Sequence, residues 1–337
     1  MKIFSDGKYL NEIKDNFKED SVLTGNGIDM QNIDISFMLD EKTNIVGLKE
    51  KYQKIMLVGA FYGREVQNAV FYGIKNKLNL TFVFSNVVTV IDPLGNIWYV
   101  GTDMNDAIKA AKDRLTYLIK ITRQRTFKSD SALALAWYFD SFKVEEQESD
   151  NIGEAADVEK DFLDVIHSFS KQIYPMMGVD LKEHKRPEIR CAKTMPSFRY
   201  KNKIFVSKRV VPDYLLRSGD FVEVYMDSGK LIYFGEEKPS VDSPVHVRLY
   251  ELLPNINYIV HMHEYIEGAP FTKTNNPCGA IEEYDAIEEA ITEHYIDNMC
   301  ELYTVNLKGH GSVVMSSSIE KLQSISLRKR NIPEIMF

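Results

Sequence analysis

The feature that most constrains this chain is an acidic segment near its middle, KVEEQESDNIGEAADVEKD at 143–161. It contains few large apolar residues, whereas the sequence on either side has apolar stretches that can build a core. A chain of 337 residues is long enough for two ordinary domains. The segment therefore predicts a boundary between one domain at 1–150 and another at 151–337. A polar surface loop inside one large domain is the alternative.

The first half predicts an α/β domain. An apolar run at 54–61 favours a buried strand, apolar residues at helical spacing follow over 63–78, and 79–92 is again typical of a strand. This order predicts a βαβ unit, and a Rossmann-like domain is one option. The connecting loop GAFYG is not a G-x-G-x-x-G motif, so Gly59 and Gly63 indicate either a tight turn or an anion site at a helix N-terminus. The function of this half stays open.

The second half contains more short elements. A helix is predicted at 161–177, followed by several short strands. A further helix is predicted with Ser243 as its N-cap and Pro244 at its first position, ending before Pro254. The next predicted strand, 258–264, contains two of the chain's seven histidines.

These two histidines lie one residue apart, in the stretch IVHMHEY at 259–265. If the stretch is a strand, His261 and His263 point to the same face, with their Cα atoms roughly 6.5–7 Å apart. Two rings at that separation can converge on one metal ion. They can equally be two solvated polar residues at the end of a strand.

Composition excludes several classes of protein. The net charge of −8 and pI of about 5.5 argue against a general nucleic-acid binder, because phosphate neutralisation needs a basic face. Three scattered cysteines are too few for a disulfide framework. No run approaches 18 apolar residues, and the first residues, MKIFSDGKYL, lack the apolar region of a signal peptide. We expect a cytoplasmic protein that does not span a membrane.

Four motifs in the second half occur in a recognisable order: KPSVDSPVHVRLY (238–250), VHMHEY (260–265), NNPC (275–278) and KGHGSVV (308–314). Together they resemble the class II aldolase/adducin family over roughly residues 160–325. The fuculose-phosphate-type aldolases of that family are zinc enzymes. The resemblance implies an α/β/α layered domain with a mainly antiparallel sheet, and a homo-oligomer, commonly a tetramer.

Carried over to this chain, the resemblance makes His261, His263 and His310 the ligands of a zinc ion or another divalent transition metal. Three neutral imidazoles with an open fourth position suit a catalytic zinc site. In the alternative interpretation His310, in its glycine-bounded loop, is satisfied by the backbone. His246 also matches a family motif, and we expect it to brace the site or the helix.

The resemblance gives the general base as Asp242, where the family usually has glutamate. Retro-aldol cleavage needs a base that takes the proton from the hydroxyl on the carbon that becomes the aldehyde. Aspartate is one methylene shorter than glutamate, which shortens its reach. The alternative role is structural, since an acidic residue at a helix start is favoured by the helix dipole.

Two further family loops correspond to TMPSFR (194–199) and VSKR (206–209). They keep two serines but add cations, and the predicted substrate-binding residues are Ser197, Arg199, Ser207, Lys208 and Arg209. Cationic side chains pair well with carboxylate or phosphate. A solvated basic edge is the alternative.

The sequence therefore predicts a zinc-dependent carbon–carbon lyase. Its expected partner is a small oxygenated anionic substrate, such as a sugar phosphate. Two alternatives remain: another metal-dependent lyase on the same scaffold, a decarboxylase or dehydratase, or a non-catalytic adducin-like interaction module. Loss of the metal ligands marks that last branch, and all three predicted ligands are present here.

Overall fold

A computed structural model of the protein describes most of the chain. The described residues are 1–40, 55–76, 78–92, 95, 97–124, 143–147, 160–176, 194–209, 211–235, 237–240, 242–274, 276, 281–295 and 300–330. Most of the NNPC motif lies outside them. The chain divides into two compact units, Met1–Trp137 with Asn331–Phe337, and Tyr138–Arg330. Within the described residues, no helix is both long and apolar enough to cross a membrane.

The N-terminal unit contains a seven-stranded sheet. Its strands are β1 (Lys2–Ser5), β2 (Ser21–Thr24), β3 (Ile35–Met38), β4 (Met56–Tyr62), β5 (Leu80–Phe84), β6 (Val88–Ile91) and β7 (Ile97–Gly101). They lie in the order β2-β1-β3-β4-β5-β6-β7, parallel from β2 to β5 and antiparallel from β5 to β7. The α/β prediction is confirmed.

The parallel part of this sheet has the flavodoxin-like doubly wound order rather than the 3-2-1-4-5-6 order of Rossmann domains. The Rossmann-like option is therefore not confirmed. The predicted βαβ unit is present as β4, helix α2 and β5, with adjacent parallel strands. The helices are α1 (Leu10–Asn16), α2 (Val66–Lys75) and α3 (Met104–Gln124), and a short 3-10 helix lies at Met30–Asn32.

Both faces of this sheet are covered. Along β4, Val58 belongs to one apolar cluster with residues of α1 and α3, while Leu57 belongs to another with Tyr72 of α2. Successive strand residues point to opposite faces, so helices pack on both. This explains the nearly continuous apolar run of β4, because a parallel strand covered on both faces has no polar side.

The C-terminal unit contains a larger, mainly antiparallel sheet. Its strands are β8 (Lys143–Gln147), β9 (Met195–Tyr200), β10 (Lys203–Ser207), β11 (Phe221–Asp227), β12 (Lys230–Phe234), β13 (Tyr258–Met262), β15 (Leu302–Leu307) and β16 (Gly311–Ser316). Their order is β15-β16-β13-β9-β10-β11-β12-β8, and among these pairs only β12 with β8 is parallel. A small separate sheet pairs β14 (Tyr265–Ile266) with β17 (Leu327–Arg328).

Helices cover both faces of this sheet. They are α4 (Lys160–Met176), α5 (Ser243–Leu252), α6 (Ile281–His294) and the short α7 (Ile319–Gln323), and 3-10 helices lie at Asp213–Leu215 and Ser218–Asp220. Residues of α5 and α6 pack with Ile259 of β13, whereas Phe162 of α4 contacts Tyr258, the neighbouring residue on the opposite face. The result is the expected α/β/α layering.

Two local features differ from the elements predicted from the sequence. The first residues of the acidic segment at 143–161, for which no strand was predicted, form β8, an edge strand of the C-terminal sheet. The N-cap of α5 is Asp242, so Ser243 is the first helical residue rather than the cap. Charged residues are common on edge strands, where they hinder pairing with other chains, so the acidic composition of β8 gave no signal of a strand.

A buried carboxylate anchors α4. Asp213 is fully buried and accepts hydrogen bonds from the hydroxyls of Tyr174 (2.7 Å) and Ser170 (2.8 Å) on α4. It also accepts from the backbone N–H (3.1 Å) and hydroxyl (3.0 Å) of Thr194, just before β9. We call these four residues the Asp213 network. Burial and the neighbouring Asp213 charge raise the pKa of Tyr174, so its hydroxyl stays protonated and donates.

Candidate metal centre

The first part of the candidate site is the C-terminal end of β13. His261 is in the strand, opposite Val313 of β16 and Met195 of β9. It shares the face of Ile259, which α5 and α6 cover. The strand ends at Met262, two residues before its predicted end. His263 therefore lies in the bend that follows the strand. Both side chains remain on the covered side, and their residues are only 3% and 7% exposed.

The second part is the tight turn between β15 and β16. His310 lies in this turn and is 1% exposed. Gly309 before it adopts a φ of +71°, in the left-handed region that favours glycine. A Cβ at Gly311 would lie 2.0 Å from the Met262 carbonyl oxygen and 2.9 Å from the His263 Cα. The two glycines therefore allow the turn to approach the backbone that carries His263.

The structure brings the three predicted ligands together, and we call them the histidine cluster. The ring centroids are 4.6 Å apart for His261 and His310, 5.1 Å for His261 and His263, and 5.2 Å for His263 and His310. Each ring offers one nitrogen, and these nitrogens all lie within 4.8 Å of one another. The cluster can hold a metal ion.

The cluster is electrostatically suited to neutral imidazoles. Burial lowers the pKa of His261 well below its ordinary value, and the neighbouring His310, His263 and His246 rings lower it further. The His261 ring also hydrogen-bonds the backbone of Ser312. Its Nε2 is buried and has no hydrogen-bond partner among the described residues. A buried polar atom without a partner is costly, and a metal ion would remove that cost.

A carboxylate that was not predicted from the sequence orients His310. Oε1 of Glu283, on α6, lies 2.7 Å from Nδ1 of His310, and both residues are buried. Such a contact sets the tautomer and leaves Nε2 for a metal. A signal was present, because Glu283 lies on the stripe of α6 that contains the apolar Ala286, Ile287 and Ala290. An acidic residue on an apolar helix face needs a buried partner.

Asp242 is at the start of α5 and is 2% exposed. Its backbone N–H donates to the hydroxyl of Ser240, at 3.4 Å. Among the described residues its side chain makes no capping hydrogen bond to α5. The alternative role stays a prediction, because an acidic residue at a helix start is favoured by the helix dipole without a capping hydrogen bond.

His246, one turn further along α5, lies in a hydrogen-bonded chain. Its Nδ1 is 2.8 Å from the hydroxyl of Ser197, which is 3.0 Å from the hydroxyl of Tyr250. Burial lowers the pKa of His246 to about 3, and its ring contributes to the low pKa of His261. These contacts agree with a bracing role for His246. They also place Ser197, a predicted substrate residue, in the packing between β9 and α5.

The other predicted substrate residues fall into two places. Arg199 is at the opposite end of β9 from Met195, the residue that pairs with His261. Its guanidinium donates to the carbonyls of Pro254 (2.6 Å) and Tyr250, and stacks over the Tyr250 ring at 4.9 Å. It thus closes the C-terminal end of α5, about 15 Å along the helix from Asp242. The structure does not bring Arg199 to the histidine cluster.

The segment Ser207–Arg209 lies closer to Asp242 in the fold. The backbone of Ser207 accepts from Ser240 (3.0 Å), and Arg209 donates to the Lys238 carbonyl (3.0 Å). Lys208 pairs with Asp220, at 3.5 Å, and is partly exposed. This basic segment therefore runs beside the residues that lead into Asp242.

Comparison with known proteins agrees with the motifs. Residues 191–324 match the family model described as the class II aldolase and adducin N-terminal domain. The match confirms the resemblance predicted from the motifs, and it contains all three histidines of the cluster.

Similar solved structures cover about half of this chain. One is an L-fuculose 1-phosphate aldolase, with 14% identity and a TM-score of 0.34, covering 51% of this chain and 84% of that one. Another is YgbL from Escherichia coli, with 15% identity and a TM-score of 0.35, covering 48% and 80%. A third is the L-fuculose-1-phosphate aldolase from Thermus thermophilus, with 17% identity and a TM-score of 0.32, covering 49% and 85%.

Proposed function

We propose that the C-terminal unit is a zinc-dependent carbon–carbon lyase that performs aldolase-type cleavage of a small oxygenated anionic substrate. The observation that supports this most is the histidine cluster, three buried imidazoles whose nitrogens lie within 4.8 Å of one another. The family match over residues 191–324 supports the reaction type.

The cluster fits a divalent ion chemically. His261, His263 and His310 would be the ligands, with Glu283 orienting His310 through its Nδ1. Three imidazole ligands with an open position suit zinc. When bound, such an ion polarises substrate oxygens and stabilises the negative charge that develops on them. Burial lowers the pKa of His261, which favours its neutral form, and it excludes water from around the three ligands.

Asp242 is the proposed general base. Its carboxylate takes the proton from the substrate hydroxyl on the carbon that becomes the aldehyde, and the adjacent carbon–carbon bond breaks as the carbonyl forms. The electron pair of that bond stays with the other fragment, which takes up a proton before it leaves. Its buried position at the start of α5, one turn before His246, supports this role. His246 and Ser197 hold the first turn of α5 against β9.

The anionic group of the substrate is proposed to bind near Ser207, Lys208 and Arg209. These residues run beside the segment that enters Asp242, and Lys208 is accessible enough to exchange its pairing with Asp220 for a substrate anion. Arg199 is a weaker member of the predicted set, because its donors already bind carbonyls at the other end of α5.

A retro-aldol assay on a panel of sugar phosphates tests the proposal, with the released aldehyde as the signal. We expect cleavage by the zinc-loaded protein, loss after chelation, and loss in His310→Ala. His294→Ala is the matched control, because His294 is an exposed histidine at the end of α6.

The panel also separates the alternatives. Release of carbon dioxide or water without an aldehyde would indicate a decarboxylase or dehydratase that uses the same histidines. A protein that binds no metal and cleaves nothing would instead be an adducin-like interaction module. We expect the active protein to be a cytoplasmic homo-oligomer, commonly a tetramer in this family, and sedimentation analysis would show its size.

A further inference from the structure

A buried pair of opposite charges, Glu264 and Arg330, lies next to the histidine cluster. Glu264 follows His263 in the chain and is fully buried, and Arg330 is 1% exposed. The backbone N–H of Arg330 donates to Oε2 of Glu264 at 2.7 Å. The two side chains also attract each other electrostatically.

Arg330 reaches the turn that carries His310 as well. Its Nη1 donates to the carbonyl oxygens of Gly309, at 3.4 Å, and of His310. One residue thus contacts the bend that follows β13 and the turn between β15 and β16. These are the two backbone segments that supply the predicted ligands outside β13 itself.

Neighbouring contacts tie the same two segments together. The Gly309 N–H donates to the hydroxyl of Tyr265 at 3.2 Å, and the Ser312 hydroxyl donates to the Glu264 carbonyl at 2.7 Å. The small sheet of β14 and β17 brings Arg330 into place, because Tyr265 pairs with Arg328.

Taking two charges out of water is expensive, and a buried pair is often no more stabilising than apolar residues of the same volume. General stability is therefore a weak explanation for Glu264 and Arg330. Their shared feature is contact with the backbone on both sides of the histidine cluster. Neither Glu264 nor Arg330 is one of the three residues that could bind the ion.

We propose that Glu264 and Arg330 form a clamp that holds the bend at His263 and the turn at His310 at metal-binding separation. This inference rests on the proposed metal centre. Both are positioning residues, since they act through the backbone of the ligands. Without the clamp the His310 turn is held to β13 only by the pairing of β13 with β16 and the contacts of Tyr265 and Ser312, and the ion loses part of the preorganised geometry of its ligands.

Titration of the full chain with Co²⁺ alone, followed by visible absorption, tests the clamp. Residues that orient metal ligands typically change metal affinity by 10–100-fold. We therefore expect Arg330→Met to raise the Kd for Co²⁺ by roughly that factor and to alter the absorption bands. Arg330→Lys keeps the charge but replaces the planar guanidinium, whose Nη1 donates to both carbonyls, by an ammonium group of different reach, so we expect an intermediate Kd. Lys321→Met, at a half-exposed lysine of α7 that pairs with Glu301, is the control and should bind as the wild type does.

Arg330→Met removes the charge that attracts the buried Glu264 carboxylate, although the backbone N–H of residue 330 still donates to it, so a second variant guards against misfolding. Glu264→Leu/Arg330→Met removes both charges and keeps the site apolar. We expect it to fold, as judged by thermal unfolding of the metal-free protein, and still to bind Co²⁺ weakly. Wild-type affinity and absorption in this variant would overturn the clamp while leaving the metal centre intact. Failure of the wild-type protein itself to bind Co²⁺ would overturn the metal centre and the clamp together.

Discussion

The C-terminal unit contains two buried polar groupings that differ in one respect. In the Asp213 network, both oxygens of a buried carboxylate accept hydrogen bonds from neighbouring residues. In the histidine cluster, the Nε2 of His261 has no such partner among the described residues. The first grouping is saturated and can only hold the structure. The second contains a buried nitrogen that can still bind a ligand, as expected of a binding site.

The comparison predicts that changes in the two groupings affect different quantities. Substitutions in the Asp213 network should change the free energy of unfolding without changing metal binding. Substitutions around the histidine cluster should change metal binding or rate more than stability.

The largest effect is expected from Asp242→Asn. The substitution keeps the volume but removes the base, and general-base catalysis contributes typically ~10²–10⁴-fold. We expect kcat for cleavage to fall by that order, with the metal content unchanged. Steady-state kinetics and metal analysis on the same sample measure both quantities. Unaltered kcat together with a lower melting temperature would give Asp242 the structural role instead.

The next largest effect is expected in the Asp213 network. Asp213→Ala leaves the hydroxyls of Tyr174 and Thr194 without their buried acceptor, while the hydroxyl of Ser170 keeps the Ile166 carbonyl. Each buried donor without an acceptor costs about 1–3 kcal/mol. We expect the free energy of unfolding in urea to fall by about 3 kcal/mol or more, because several donors are affected. Metal stoichiometry of the folded fraction should stay at the wild-type level. Loss of metal from folded Asp213→Ala protein would contradict the prediction that the Asp213 network affects stability but not metal binding.

A smaller effect should distinguish two of the predicted substrate-binding cations, Lys208 and Arg199. A charge-assisted hydrogen bond contributes about 1.5–3 kcal/mol, so we expect Lys208→Met to raise KM roughly tenfold or more with kcat nearly constant. Arg199→Met should leave KM unchanged and lower stability, because its guanidinium closes α5. Lys203→Met is the matched control, since Lys203 also lies in this strand region and pairs with a carboxylate, Glu223, at 3.1 Å. Higher salt should raise KM for the wild type if the anion site is partly open. Equal KM values in all three variants would show that this edge is solvated surface.

The smallest effect is a slope in the pH dependence of stability. The folded-state pKa of His246, about 3, lies below its ordinary value of 6.5. Between these values the unfolded chain binds a proton that the folded unit excludes, so stability present above pH 6.5 is lost as the pH falls. One proton corresponds to about 1.4 kcal/mol per pH unit. Urea unfolding of metal-free protein should therefore show a shallower pH dependence in His246→Asn than in the wild type. Parallel stability curves for the two proteins would mean that His246 binds its proton equally well in the folded and the unfolded chain.

The sequence allowed prediction of those parts of the site that lie in short local motifs. His261 and His263 lie in one short motif, and His310 lies between Gly309, which has a left-handed φ, and Gly311, which the close approach to β13 requires. The mainly antiparallel C-terminal sheet also followed from the resemblance.

Other parts depend on contacts between distant residues. Glu283 meets His310 across 27 positions, and Arg330 meets Glu264 across 66. Periodicity shows which face of an element is buried but not which partner covers it. For the same reason it did not distinguish the observed strand order of the N-terminal sheet from a Rossmann order, and it did not show that the acidic β8 pairs with β12.

The most direct test of the account is the zinc content and coordination of the purified full-length protein after dialysis against zinc and then against metal-free buffer. We predict about one zinc per chain, with X-ray absorption showing histidine nitrogens at ~2.0–2.1 Å. We also predict that a His261→Ala/His263→Ala variant retains none, while His294→Ala retains the full amount. A wild-type protein that stays metal-free after zinc dialysis would contradict the account, because the histidine cluster would then be a packed polar core rather than a metal centre.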